Sequence, residues 1–196
     1  MLGLTVGTAA LLLILSVFNG FEDLISKLMN AYNPDLKVVA AEGLFLELDS
    51  TQLARVGSIP GIKQWSESLE TVVLFDYDRS QEAGIIKGVD NNYRKVTNID
   101  STIVRGEYVT AQGNTNFAIL GSGMFNKLSI NPSDPLTPVI VYAALKSKGP
   151  LSKDYATLEL YPAGVFTVGS EEDMQYVLTD IQAVRELMQR PTAASS

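Results

Sequence analysis

The first 21 residues, MLGLTVGTAALLLILSVFNGF, contain no charged side chain. No other feature constrains the chain as strongly, because a helix that faces water on one side carries polar and charged residues along that side. A helix rises about 1.5 Å per residue, so about 20 residues cross the hydrocarbon core of a bilayer. The segment is therefore read as a membrane-spanning helix. A secretory signal peptide would place a basic stretch before the apolar block and a small-residue cleavage site after it; residues 1–21 offer neither. Without a basic flank, the chain is expected to begin partway into a span, with the natural protein continuing upstream. The helical pattern does not stop at Phe21. Phe21, Leu24, Ile25, Leu28 and Tyr32 keep helical spacing, while Glu22, Asp23 and Lys27 fall on other faces. Asn33-Pro34 ends the pattern, since a residue before proline avoids α geometry. One continuous helix is thus predicted to project from the bilayer into a water-exposed domain.

Beyond Pro34 the pattern changes to short alternating runs, the signature of strands. Strands are expected over 36–40, 44–48, 64–69, 71–77, 84–89, 116–120, 139–143, 156–160, 165–168 and 177–178. Helices are expected over 50–59, with Ser50 as N-cap, over 124–130 and over 180–189. Residues 132–138 hold three prolines and read as a loop. Strands and helices in this order argue an α+β fold. The expected divisions are residues 1–33 for the membrane helix and its extension, 34–190 for an extracytoplasmic core domain, and 191–196 for a tail. That tail, PTAASS, is read as having no core-forming residue and as marking a boundary.

Composition excludes several chemistries. The net charge is −7, which disfavours nucleic acid, because phosphate backbones demand a basic face. The chain has no cysteine and no histidine. Disulfides, thiolate zinc sites, Ser-His-Asp triads and Cys-His pairs are therefore ruled out. Neither a cofactor nor a metal is expected.

Four motifs carry what functional signal there is. Gly3-Leu4-Thr5-Val6-Gly7 is a G-x-x-x-G in an apolar helix, a pattern that lets a second helix approach closely. With Leu11, Leu15, Phe18 and Phe21, Gly3 and Gly7 are the candidate residues for helix packing or lipid contact. Gly121-Ser122-Gly123 precedes a predicted helix, but a phosphate-binding loop would need a third glycine or a following Lys-[ST]. Asn126 stands where that glycine would be, so a strand-to-helix turn is the better reading. The acids Asp76, Asp78, Glu171, Glu172 and Asp173 lack the spacing of a calcium loop and read as solvated loops. Residues 143–155, AALKSKGPLSKDY, form a basic stretch in an acidic chain. Leu145 and Leu151 flank Gly149-Pro150, and Lys146 and Lys148 lie between, so a protruding hairpin could present apolar tips to a partner.

In this order the pieces resemble the LolC/LolE-type permease of the lipoprotein-releasing ABC transporter, within the wider MacB/FtsX superfamily. Leu4-Thr5-Val6-Gly7, followed by Leu15-Ser16-Val17-Phe18-Asn19-Gly20-Phe21-Glu22, looks like that family's first membrane helix. Ala118-Ile119-Leu120-Gly121, a helix with Leu128, then Asn131 and a strand look like a second shared stretch. Phe166-Thr167-Val168-Gly169, with residues 175–177 and 181–188, looks like a third, although the family's "GTF" is here Gly169-Ser170-Glu171. The resemblance implies a mixed α/β periplasmic core domain with MacB-like porter and sabre subdomains behind the first membrane helix. It also implies a non-catalytic permease subunit of the bacterial inner membrane. Its partners would be a cytoplasmic ABC ATPase subunit, a second permease subunit, a periplasmic lipoprotein carrier and a lipoprotein cargo. Residues 143–155 occupy the place of the family's carrier-binding hook, so Leu145, Lys146, Lys148, Gly149, Pro150 and Leu151 are the expected docking residues. The rivals are a MacB-like efflux or FtsX-like permease, coupled to another periplasmic protein, and a membrane-anchored carboxylate enzyme.

Overall fold

The structure, a computed structural model, describes residues 2–32, 34–47, 50–134, 136–145 and 155–196. Helix α1 runs without interruption over Leu2–Tyr32, about 46 Å at the usual rise. Within it, residues Thr5–Glu22 are long and apolar enough to cross a membrane, and none of that stretch is buried by the rest of the chain. A helix closes its own backbone hydrogen bonds, which is what a segment in hydrocarbon requires.

The chain then extends over residues 34–45 before a two-residue strand, β1 (Leu46–Glu47), and helix α2 (Ser50–Gly57). The strand expected over 36–40 does not form, and that expected over 44–48 shrinks to β1. Leu36, Val38, Val39 and Leu44 are all more than half exposed. Alternation marks a segment able to enter a sheet, but a ladder also needs a neighbour, and strand propensity largely reflects packing against one.

The remaining strands are β2 (Ser68–Tyr77), β3 (Ser80–Val89), β4 (Ile103–Gly106), β5 (Ala111–Gln112), β6 (Thr115–Gly121), β7 (Val139–Ala144), β8 (Tyr155–Phe166), β9 (Tyr176–Asp180) and β10 (Ala193–Ala194). Between them lie α3 (Tyr93–Val96), a 3-10 turn (Ile99–Thr102), α4 (Ser122–Lys127), α5 (Glu172–Gln175) and α6 (Ile181–Leu187). The large sheet has the order β4-β8-β7-β2-β3-β9-β6-β5, with a further β8–β6 pairing. That extra pairing closes β2, β3, β9, β6, β8 and β7 into a circuit.

Strand β8 makes the closure possible. Its first half, up to Leu160, pairs antiparallel with β7, and its second half, from Tyr161, pairs parallel with β6. The strands expected over 156–160 and 165–168 are therefore one. The register shifts where Pro162 and Gly164 face Ala118 and Ile119, leaving Ala163 as a bulge. A bulge bends a strand and accommodates a proline that could not donate to a ladder.

Adjacent residues point to opposite faces of the sheet and so feed two cores. Val177 joins the larger one, with Leu69, Val73, Phe75, Ile86, Val141 and Leu160 packed against Met124 and Leu128 after β6 and Ile181, Val184 and Leu187 of α6. Leu178 joins the smaller one, with Val89, Ile119 and Phe166 beneath Tyr93 and Ile99. Helix α6 begins where the sequence suggests, Asp180 accepting a hydrogen bond from the Gln182 backbone N–H at 2.8 Å.

The tail corrects its expectation. Ala193 and Ala194 are buried, and β10 pairs antiparallel with β1. Ser196 exchanges backbone hydrogen bonds with Ser68, at 2.7 and 3.2 Å, along the part of β2 that β7 does not reach.

Candidate functional site

Gly3, Gly7, Leu11, Leu15, Phe18 and Phe21 all belong to α1. At about 100° per residue they fall within a sector of about 120° on one helix face. Leu11, Leu15, Phe18 and Phe21 are each at least half exposed, and a Cβ built on Gly3 or Gly7 would meet nothing within 4 Å. The continuous helix thus aligns the six residues into one open strip with a small-residue end and an aromatic end.

From α1 the chain reaches the core domain through residues 34–45, and a charged cluster receives it. Lys37 Nζ lies 3.4 Å from Glu70 Oε1, and Lys87 Nζ lies 3.1 Å from the same oxygen. Glu70 and Lys87 face each other in register across β2 and β3. The Tyr176 hydroxyl donates to Glu70 Oε2 at 3.3 Å, and the Lys87 ammonium sits 5.2 Å above the centre of the Tyr93 ring. Burial opposes ionisation of Glu70, yet the two lysines outweigh it and hold its carboxyl below the ordinary range. Burial also pulls Lys87 down, with Glu70 opposing. Burial and the Glu70 charge push the Tyr176 phenol up to about 12. Sequence reasoning missed this cluster. A lysine inside the apolar run Gly84-Ile85-Ile86-Lys87-Gly88-Val89 was the available signal, since lysine is almost never fully buried unless paired.

A second anchor lies further along the linker. Arg190 stacks over the Phe45 ring at 4.8 Å and pairs with Glu47 at 3.4 Å. At the other end of the linker, α1 comes alongside the Ile99–Thr102 turn.

The other motifs resolve into structure. Asp173 is buried: its carboxylate accepts from the Thr167 hydroxyl and from the backbone N–H groups of Val168 and Gly169, at 2.6, 2.8 and 3.0 Å. The expectation of a solvated acidic loop therefore fails at Asp173, because these donors stabilise the buried charge. The same segment explains Gly121 and Gly123. A Cβ on Gly121 would lie 2.4 Å from the Asp173 carbonyl oxygen, and one on Gly123 would lie 2.1 Å from Met174 Sδ. The glycines let two chain segments touch. Asp76 accepts from the Gln81 side chain at 3.0 Å, and Asp78 occupies the β2–β3 turn with φ of 53°. Among the described residues no group of three acids is placed to hold a metal ion. Of the expected docking hairpin, Leu145 is half-buried at the end of β7. Lys146, Lys148, Gly149, Pro150 and Leu151 lie outside the described residues.

Known proteins place these features. No curated protein matches the chain. Among solved structures, the extracellular domain of the noncanonic ABC-type transporter YknZ from Gram-positive bacteria is similar. It has a TM-score of 0.53 at 15% identity, over 84% of this chain and 77% of that one, which establishes a shared fold. The profile of the MacB-like periplasmic core domain matches residues 1–141. An apolar helix that leads through residues 34–45 into such a fold agrees with that match, and the chain belongs to the MacB-like periplasmic core domain family.

Proposed function

We propose that this chain is the first membrane helix and periplasmic core domain of a LolC/LolE-type permease subunit, which extracts lipoproteins from the bacterial inner membrane and passes them to a periplasmic carrier. The observation that carries the reading is α1, one unbroken helix from the apolar span to Tyr32 at the edge of a MacB-like domain. A stiff helix can convey displacement from membrane to domain, where a flexible linker would absorb it. In this account a separate cytoplasmic ATPase moves the membrane helices, and a second permease subunit completes the transporter. Cargo acyl chains rest on the strip from Gly3 to Phe21. Leu145, Lys146, Lys148, Gly149, Pro150 and Leu151 hold the carrier, with the leucines as anchors and the lysines steering encounter. The membrane helix and its periplasmic extension take residues 1–33, and β10 is counted with the core domain.

The test is recovery of a periplasmic lipoprotein carrier by the full chain in detergent, comparing wild type with Leu145→Ser/Leu151→Ser. Retention by the wild type and loss by the double variant support the reading. Equal recovery by both makes residues 143–155 only a surface turn and removes the main functional support of the LolC/LolE reading; capture of a different periplasmic protein instead of the carrier sends the chain to the MacB-like efflux or FtsX-like branch.

A further inference from the structure

We propose that Lys37 and Glu70 form a releasable clasp that holds the linker following α1 against the sheet, a device that deepens the coupling reading above and rests on it. The linker is secured unequally at its two ends. At the far end Phe45 packs against the larger core and under Arg190, Glu47 pairs with Arg190, and β1 pairs with β10. Near α1 the linker is tied to the sheet by the Lys37–Glu70 ion pair, at 3.4 Å. Between these points, among the described residues, no backbone group of residues 34–45 bonds to another backbone group. Leu36, Val38, Val39 and Leu44 stand exposed there. Gly43, with φ of 84° and open space around its Cα, supplies a pivot just before the firm anchor.

The two lysines on Glu70 differ in the way a clasp requires. The Lys87 side chain is 6% exposed and sits 3.1 Å from the carboxylate, whereas the Lys37 side chain is 46% exposed. Exposed pairs are weak and yield to salt, while buried ones are screened much less. Lys37 can therefore leave and return, while Lys87 and the Tyr176 hydroxyl keep Glu70 ionised and in place. Residues 34–43, once released, span up to ~30 Å when extended, so α1 could shift without unpairing β1.

The experiment is a distance measurement between spin labels at Ala41→Cys and Thr115→Cys, in the full chain in detergent. The chain has no cysteine of its own, so labelling is confined to these sites, an exposed linker position and an exposed position on β6. A narrow distance distribution is expected at low salt. It should broaden in Lys37→Gln, and equally in the wild type at about 1 M salt, where the Debye length is about 3 Å. Salt should add nothing to Lys37→Gln. A distribution that Lys37→Gln leaves narrow, one that salt broadens alike with and without Lys37, or one already broad in the wild type at low salt overturns the clasp. Neither ATP nor cargo enters the measurement, so that failure leaves the permease assignment standing.

Discussion

Glu70 and Lys87 face each other across the β2–β3 pairing with a 3.1 Å separation, and both sit among the strands that build the core. Removing one member of such a pair leaves an uncompensated charge, a loss of several kcal/mol. Glu70→Gln should therefore destabilise the domain by about 3 kcal/mol, measured by urea unfolding. Lys37→Gln, at the exposed partner, should cost under about 1 kcal/mol.

The same carboxylate sets a pH dependence. Its folded value lies below the ordinary 4.5, so at mildly acidic pH the unfolded chain takes up a proton that the folded domain refuses. The stabilisation is complete above 4.5 and drains away as pH falls through the lower, folded value. Unfolding midpoints of the wild type should drop in that window. Those of Glu70→Gln should drop less, and parallel curves would assign the acid sensitivity to other groups.

The tail provides an independent test of where the domain ends. Ala193 is fully buried between β1 and the rest of the fold. Ala193→Asp puts a charge there without a partner and should destabilise by about 3 kcal/mol or more. Ala193→Ser should be much milder. An unfolding midpoint unchanged in Ala193→Asp would return residues 191–196 to the status of a dispensable tail.

Gly121 tests the packing explanation of the Gly-Ser-Gly turn. With the Asp173 carbonyl 2.4 Å from a would-be Cβ, Gly121→Ala forces backbone apart and should cost about 1–3 kcal/mol. Calorimetry of the wild type with ATP should show no binding. Micromolar affinity for ATP, lost in Gly121→Ala, would make the turn a phosphate site after all.

Much of this organisation was legible from residue order. The uncharged run, its helical continuation and the stop at Asn33-Pro34 are local properties, and α1 follows them. The strands around Phe75, Ile86, Leu120, Val141 and Val177 were visible because alternation there coincides with a neighbour on each side. What was not legible depends on distant partners. Leu36 and Val38 alternate as well as any strand, but among the described residues no strand pairs with them. Ala193 and Ala194 look featureless until β1 and β2 close around them. Residues 93–112 hold short polar elements whose apolar members, Tyr93, Ile99 and Ile103, show their role only once the second face of the sheet exists. Asp173 and Glu70 look like ordinary surface acids, and only the backbone donors and Lys87 that come to them in three dimensions make them interior groups.

The central claim, that α1 carries motion from the membrane into a lipoprotein-handling domain, is tested most directly by breaking the helix beyond the span. Proline in a helix interior removes a hydrogen bond and kinks the axis at a cost of about 3 kcal/mol. Ser26→Pro in the full-length permease, assembled with its ATPase in liposomes, should leave ATP hydrolysis and domain folding intact. Release of lipoprotein to the carrier, followed as carrier-bound cargo per ATP consumed, should fall at least tenfold. Unimpaired release by a correctly inserted Ser26→Pro permease would contradict the claim.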